Sequence, residues 1–203
     1  MEQTKTVKKR IDYLDIARGI AIILMIIGHV VSGYKRVIIF SFHMPLFIII
    51  SGIFFKPGRN IKEEFKNIFK KLIIPYMVSI LIVHCTKAII LKKYINIIEI
   101  LKQIILGYSN KRTFFQEVET VGVLWFIPFL SLCKLIFYGI DKVEKDNDLI
   151  KGNLCLICSM TGILLAKKGL YLPWSFDIVL ASTIFYYVGY LMKKYKLLEK
   201  ILD

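Results

Sequence analysis

The sequence predicts an all-α fold: a polytopic integral membrane helical bundle of about six transmembrane helices plus one interfacial helix. Three observations point there. Of the 203 residues, 56% are hydrophobic and the mean hydropathy is +0.60, more apolar surface than a soluble domain of this length carries. The apolar residues are gathered into runs that approach the ~20 residues a spanning helix needs. The charges, 29 Lys and Arg against 15 Asp and Glu for a net +14, fall mainly between those runs. On a soluble protein that excess would suggest nucleic acid. Here it sets topology and meets anionic membrane lipid, so nucleic acid is not an expected partner.

The first run, about 16–33, follows Lys5, Lys8, Lys9 and Arg10. No small-x-small cleavage site follows it cleanly and more runs come later, so it reads as an uncleaved first helix rather than a signal peptide. The second covers about 37–55 and contains Pro45. Proline lacks a backbone donor, which frees the carbonyl near Ser41 and can open the helix beside His43; alternatively Pro45 marks the helix start and His43 caps it toward water. The third run is about 73–91. After it, "INIIEILKQIILGY" (95–108) gathers Asn96, Glu99, Lys102 and Gln103 on one helical face and isoleucines on the rest, which fits a helix lying at the interface. Further runs cover about 122–140, 153–166 and 175–192, the fifth being short for a span. No repeat or linker divides the chain, and 1–203 reads as one membrane domain. Cys155 and Cys158 form a CxxC, but no second ligand pair accompanies it. With Cys85 and Cys133 they read as packed membrane cysteines, and no metal is expected.

With six spans and the N-terminus inside, the inner segments hold about twice as many Lys and Arg as the outer ones. The inner set includes Lys70, Lys71 and Lys151, and the outer set includes Lys35 and Arg36. The bias places both termini in the cytoplasm.

Against this background the polar residues inside "RGIAIILMIIGHVV" (18–31) stand out. Arg18 and His29 are eleven positions apart, which at 100° per residue is about 20° of net rotation and a separation of roughly 16 Å along one stripe. Asp15 precedes Arg18 by three residues and is placed to pair with it. Ionisable groups at depth are expensive and usually functional, although Arg18 could also snorkel to headgroups and His29 could serve a helix–helix hydrogen bond. "FSFHMPLFIIISG" (40–52) begins just after the turn, so His43 returns to a depth similar to that of His29. Two imidazoles there could share a proton or a substrate. His84 has no such company and reads as packing.

"YLDIARGIAIILMIIGHV" followed by "FSFHMPLFIIISGIFF" resembles the start of the acyltransferase 3 family of membrane O-acyltransferases, which carries an Arg and a His separated by ten residues on its first helix, as Arg18 and His29 are. "KKLIIPY" (70–76) resembles the basic-then-Pro entry to the family's third helix, and "GVLWFIPFL" (122–130) its Leu-Trp-Phe helix. "LPWSFDIVLASTIFYYVGYLMKK" (172–194) resembles a segment of the fucose 4-O-acetylase-like branch. The resemblance runs with gaps from about residue 10 to 194.

That resemblance implies transfer of an acyl group, most often acetyl, from cytoplasmic acyl-CoA (acetyl-CoA) to a carbohydrate hydroxyl of an envelope or exported glycan, at the cell (plasma) membrane. A sugar hydroxyl needs a base near neutral pH, a role suited to His29, with His43 orienting it or assisting the proton's exit. An acyl-histidine intermediate is the other route. Arg18 would hold a phosphate or the thioester region of CoA, with Lys70 and Lys71 on the same side. Trp125 and Phe126 would wall the pocket or stack on sugar, unless they serve ordinary packing. Family members are usually longer and have more spans, so the chain is expected to be incomplete at its C-terminus and to need the missing half or another subunit as a partner. The rival expectations are a non-catalytic transporter subunit or glycan exporter, in which Arg18, His29 and His43 form a polar pathway, and an inactive fragment.

Overall fold

A computed structural model describes residues 12–92, 94–107, 120–170 and 172–202. The regular structure in these segments is all helical, with the α-helices α1 (Asp12–Val30), α2 (Tyr34–Ile53), α3 (Ile61–Ile68), α4 (Ile74–Leu91), α5 (Ile97–Leu106), α6 (Phe126–Val143), α7 (Asp148–Lys167), α8 (Phe176–Lys194) and α9 (Leu197–Leu202). Among the described residues, six stretches are long and apolar enough to cross a membrane: Tyr13–Val30, Tyr34–Ile53, Ile61–Leu91, Gly122–Val143, Asp148–Lys167 and Pro173–Lys194. The expected polytopic bundle is therefore what the chain forms.

Two of the expected boundaries move, each for a local reason. The fifth span is a full 20 residues because Asn147 starts it early: its side-chain oxygen accepts from the backbone N–H groups of Leu149 and Ile150. The third stretch begins at Ile61 rather than 73, because Asn60 caps α3 in the same way and a π-helical turn, Phe69–Ile73, carries α3 into α4. Pro75 cannot donate to the carbonyl four residues back, and the wider turn just before it absorbs that missing bond. In α2, by contrast, Pro45 lies in the helix interior and His43 is buried. The alternative in which Pro45 marks the helix start and His43 caps it toward water does not hold.

α8 is the hub, packing on α7, α2 and α6, while α1 packs on α2. Small residues make this possible. A methyl group on Gly52 would strike the carbonyl oxygen of Tyr186, and one on Gly189 would strike that of Ile49, so α2 and α8 cross with their backbones nearly touching. Gly162 serves the α7–α8 contact in the same way, against the backbone of Ala181 and Asp177. Around these crossings lies one aromatic core, in which Phe55, Phe129, Phe137, Tyr186, Tyr187 and Tyr190 pack with Cys133 and Cys155. Cys133 and Cys155 are thus packed as expected, but Cys85 is exposed.

Lys151 departs from its reading as a loop charge. It is buried in α7, and its ammonium group has three partners: Asp141 Oδ1 at 2.7 Å, the Lys145 carbonyl at 3.0 Å and the Tyr190 hydroxyl at 3.2 Å. Three acceptors satisfy all three donors of a lysine. Glu64, also buried, is held between Arg59 at 2.9 Å and Lys134 at 2.6 Å, which ties α3 to α6.

The expected short helix is α5, whose ten residues are too few to span. Of its polar face, Asn96 and Lys102 are exposed and Gln103 is buried. Asn96 is its N-cap, and Gln103 is buried, accepting at Oε1 from His84 Nε2 at 2.9 Å, while the Tyr76 hydroxyl donates to the Gln103 carbonyl at 2.8 Å. Ile97, Ile98, Leu101 and Ile105 are exposed instead. A polar side chain that finds a partner can be buried, whereas apolar side chains facing lipid need none. His84 therefore does structural work, fastening α5 to α4.

Candidate active site

α1 and α2 form a hairpin whose turn passes through Gly33 at φ 67°, a left-handed value that suits glycine. Gly28 has no side chain to hold the neighbouring helix off: a Cβ there would lie 3.0 Å from Ile39 and 3.3 Å from Phe40. This close approach brings the next residue, His29, edge-on to the Phe40 ring at 5.3 Å between centroids. One turn further along α2, His43 meets the same phenyl ring at 5.0 Å. The two histidines thus share a neighbourhood organised by Phe40.

Each imidazole is oriented by its own helix. His29 Nδ1 lies 2.8 Å from the Met25 carbonyl, and His43 Nδ1 lies 2.9 Å from the Ile39 carbonyl. A carbonyl oxygen only accepts, so in both rings Nδ1 carries the hydrogen and Nε2 holds the basic lone pair. Their exposures differ sharply. His29 is exposed, whereas His43 is 1% exposed.

Both line a cavity of about 670 Å³, a volume within the range of small-molecule sites. Met25 and His29 come from α1; Arg36, Phe40, His43, Met44 and Phe47 from α2; Gly122, Val123, Trp125 and Phe126 from the first turns of the α6 segment; and Ile178 from α8. Trp125 belongs both to the lining and to the aromatic core, with its ring 5.3 Å from that of Phe129. Phe47 of α2 meets Phe126, beside Trp125, at 5.6 Å. The cavity therefore combines two oriented imidazoles with flat aromatic walls, a set suited to holding a ring-shaped hydroxyl compound and taking a proton from it.

The remaining candidates lie elsewhere. Arg18 faces α2, as the eleven-residue spacing from His29 requires, but does not line the cavity. It donates to Asp15 Oδ1 at 3.2 Å and rests 4.3 Å from the centre of the Phe54 ring, near the other end of the α1–α2 hairpin. Lys70 and Lys71 are exposed in the π-helical turn, which packs against α6, and they are not part of the cavity wall. The structure thus unites His29, His43 and Trp125 and leaves Arg18, Lys70 and Lys71 apart from them.

Arg36 and Phe40 are lining residues that the sequence reading passed over. A signal existed: Arg36, Phe40, His43 and Phe47 follow one another at spacings of four, three and four, so a single helical stripe carries all four. The Arg36 guanidinium lies 5.1 Å from the centre of the Phe40 ring.

No curated protein and no solved structure matches the chain detectably. A family model described as an acyltransferase domain, of the acyltransferase 3 type, matches residues 11–203, which takes in every described helix from α1 to α9. A bundle of six membrane-type helices with two oriented histidines in one cavity, matched over nearly its whole length by that model, belongs to the acyltransferase 3 family.

Proposed function

We propose that the chain is a membrane O-acyltransferase that moves an acyl group, acetyl in the simplest case, from acyl-CoA to a hydroxyl of an envelope or exported carbohydrate. The observation that carries this reading is the joint lining of one aromatic-walled cavity by His29 and His43 in a chain of the acyltransferase 3 family. His29 is exposed and its Nε2 is unoccupied by its own helix, which suits it to be the base. Nε2 takes the proton as the hydroxyl oxygen adds to the thioester carbonyl. The tetrahedral adduct then collapses, the C–S bond breaks, and the departing sulfur receives the proton from His29, so CoA leaves as a free thiol. His43, buried and fixed, positions the acceptor or relays that proton. Trp125 offers a face on which a sugar ring stacks.

Arg18 is assigned to the donor. It stands roughly 16 Å from His29 along α1, a distance that the pantetheine arm of CoA can bridge while a phosphate or the thioester region rests near the guanidinium. Lys70 and Lys71, exposed on the π-helical turn, add positive charge to the donor's approach. The excess of Lys and Arg in the inner segments supports a cell-membrane protein with both termini in the cytoplasm, where acyl-CoA is found.

The test uses the chain in lipid nanodiscs with isotopically labelled acetyl-CoA and an envelope polysaccharide. Label should enter an alkali-labile ester on the carbohydrate, with one thiol released per ester. Arg18→Ala should weaken CoA binding by about ten- to hundredfold, the worth of one charge-assisted hydrogen bond, and His29→Gln should leave binding nearly unchanged. CoA binding that ignores Arg18→Ala would return Arg18 to a lipid-anchoring role. Failure to form the ester in an assembly that binds both substrates would overturn the reading.

A further inference from the structure

We propose that Arg36 selects an acceptor bearing an acidic group, a carboxylate or a phosphate, close to the hydroxyl presented to His29. This rests on the acyl-transfer reading and deepens it by naming the charge class of the acceptor. Among the described residues lining the cavity, Arg36 is the one with a permanent charge. Its guanidinium rests on Phe40, and the same phenyl ring touches both imidazoles. A guanidinium over an aromatic ring makes no hydrogen bond with it, so its N–H groups are left for a planar, bidentate anion. An acid bound there would lie one aromatic ring away from the base.

The position of Arg36 is mildly unfavourable without such a ligand. It sits in the first turn of α2, where the helix dipole disfavours cations, beside Lys35 and with no acidic residue in that turn. In the orientation proposed above it is also an outer-side charge, against the bias that places both termini inside. No acid pairs with it among the described residues. Charges that break two local rules are expected where function repays them, and a ligand anion would do so. The phosphates of CoA are assigned to the Arg18 end, so the anion at Arg36 belongs to the acceptor.

The experiment reads binding without any transfer. The chain in nanodiscs of phosphatidylcholine is treated with diethyl pyrocarbonate, which modifies accessible imidazole nitrogen, and the rate at His29 is followed by peptide mass spectrometry. Methyl glucuronide and methyl glucoside, alike except for the carboxylate, serve as protecting probes. The glucuronide should protect His29 at about tenfold lower concentration than the glucoside. Arg36→Gln should erase that preference and Arg36→Lys should keep part of it. Arg36 is exposed, so these variants should insert and migrate as wild type does. Equal protection by both sugars, protection by neither, or a preference that survives Arg36→Gln overturns the proposal. So does protection by phosphatidylglycerol-containing nanodiscs alone that disappears in Arg36→Gln, because the anion is then a lipid phosphate. The outcomes separate from those of the catalytic reading. A carboxylate preference without ester formation sinks catalysis and keeps Arg36 as an anion site, whereas ester formation on neutral and acidic sugars alike does the reverse.

Discussion

Half of the α8 segment, 50% of its spanning window, is buried within the chain, against 17% for α1 and 11% for the Ile61–Leu91 stretch. The difference follows from side-chain size. α8 presents Ser182, Thr183 and Gly189 to its neighbours, and α7 and α2 answer with Ser159, Gly162 and Gly52, so backbones approach closely and polar groups pair, as Ser159 and Thr183 do at 3.3 Å. α1 instead turns Ile16, Ile20, Ile23, Ile26 and Ile27 outward. In water that surface would demand a partner; lipid tails are as apolar as isoleucine and exact no such penalty. The comparison separates two tasks. The α8 side supplies a tightly packed platform, and the thinly covered α1–α2 edge carries the two histidines of the cavity, with Trp125 and Ile178 as the platform's contribution to its lining.

The largest effect should fall on the edge and leave the platform untouched. His29→Gln keeps size and hydrogen-bonding capacity but removes the proposed base, so acyl transfer should fall by ~10²–10⁴-fold while thermal stability in detergent stays within about 0.5 kcal/mol of wild type. His43→Gln should cost less if His43 only positions, and as much if the two histidines act as one unit. A matching loss of stability in His29→Gln would show that α1 is part of the platform after all.

The next effect tests the platform itself. Lys151→Ala strands the buried Asp141 carboxylate, and breaking a buried pair by removing one partner costs roughly 3–5 kcal/mol. Removing both charges, as in Asp141→Leu with Lys151→Met, should recover most of that, because two well-packed apolar side chains pay no desolvation. Thermal unfolding of the two variants side by side decides it. If the double variant is as unstable as the single one, the hydrogen bonds to Lys145 and Tyr190 carry the energy and the ion pair does not.

How much of this could be read beforehand depended on how local each signal is. The spans were legible because an apolar run of about 20 residues has few other fates. The pairing of His29 with His43 was legible because helix period and one short turn fix it. Lys151 was not, since its partner Asp141 lies on another helix and hydropathy alone starts the fifth run at 153. The burial of Gln103 was not legible for the same reason: the group that satisfies it, His84, is nineteen residues away. Arg36 was counted as a topology charge, and only the seating of its guanidinium on Phe40 brings it into the cavity.

The smallest effects sharpen the comparison most, because they set two apolar changes of similar chemistry on opposite sides of it. Gly189→Val drives a branched side chain into the carbonyl of Ile49, with backbone rather than a movable side chain in the way. Overpacking of that kind costs about 1–3 kcal/mol, read as a lowered thermal midpoint and a weakened α2–α8 contact. Ile23→Ala removes three carbons from a side chain that is 59% exposed on the outer face of α1. The methyl and methylene groups it loses have few protein contacts to forfeit, so the change should stay within about 0.5 kcal/mol. The decisive measurement is thermal unfolding of Ile23→Ala in nanodiscs rather than in water-rich micelles, so that tails cover α1 in both variants. A cost of 2 kcal/mol or more, the range of a buried Ile→Ala cavity, would mean that the outer face of α1 is packed against protein in the membrane. The edge that carries His29 would then be the inside of a larger assembly.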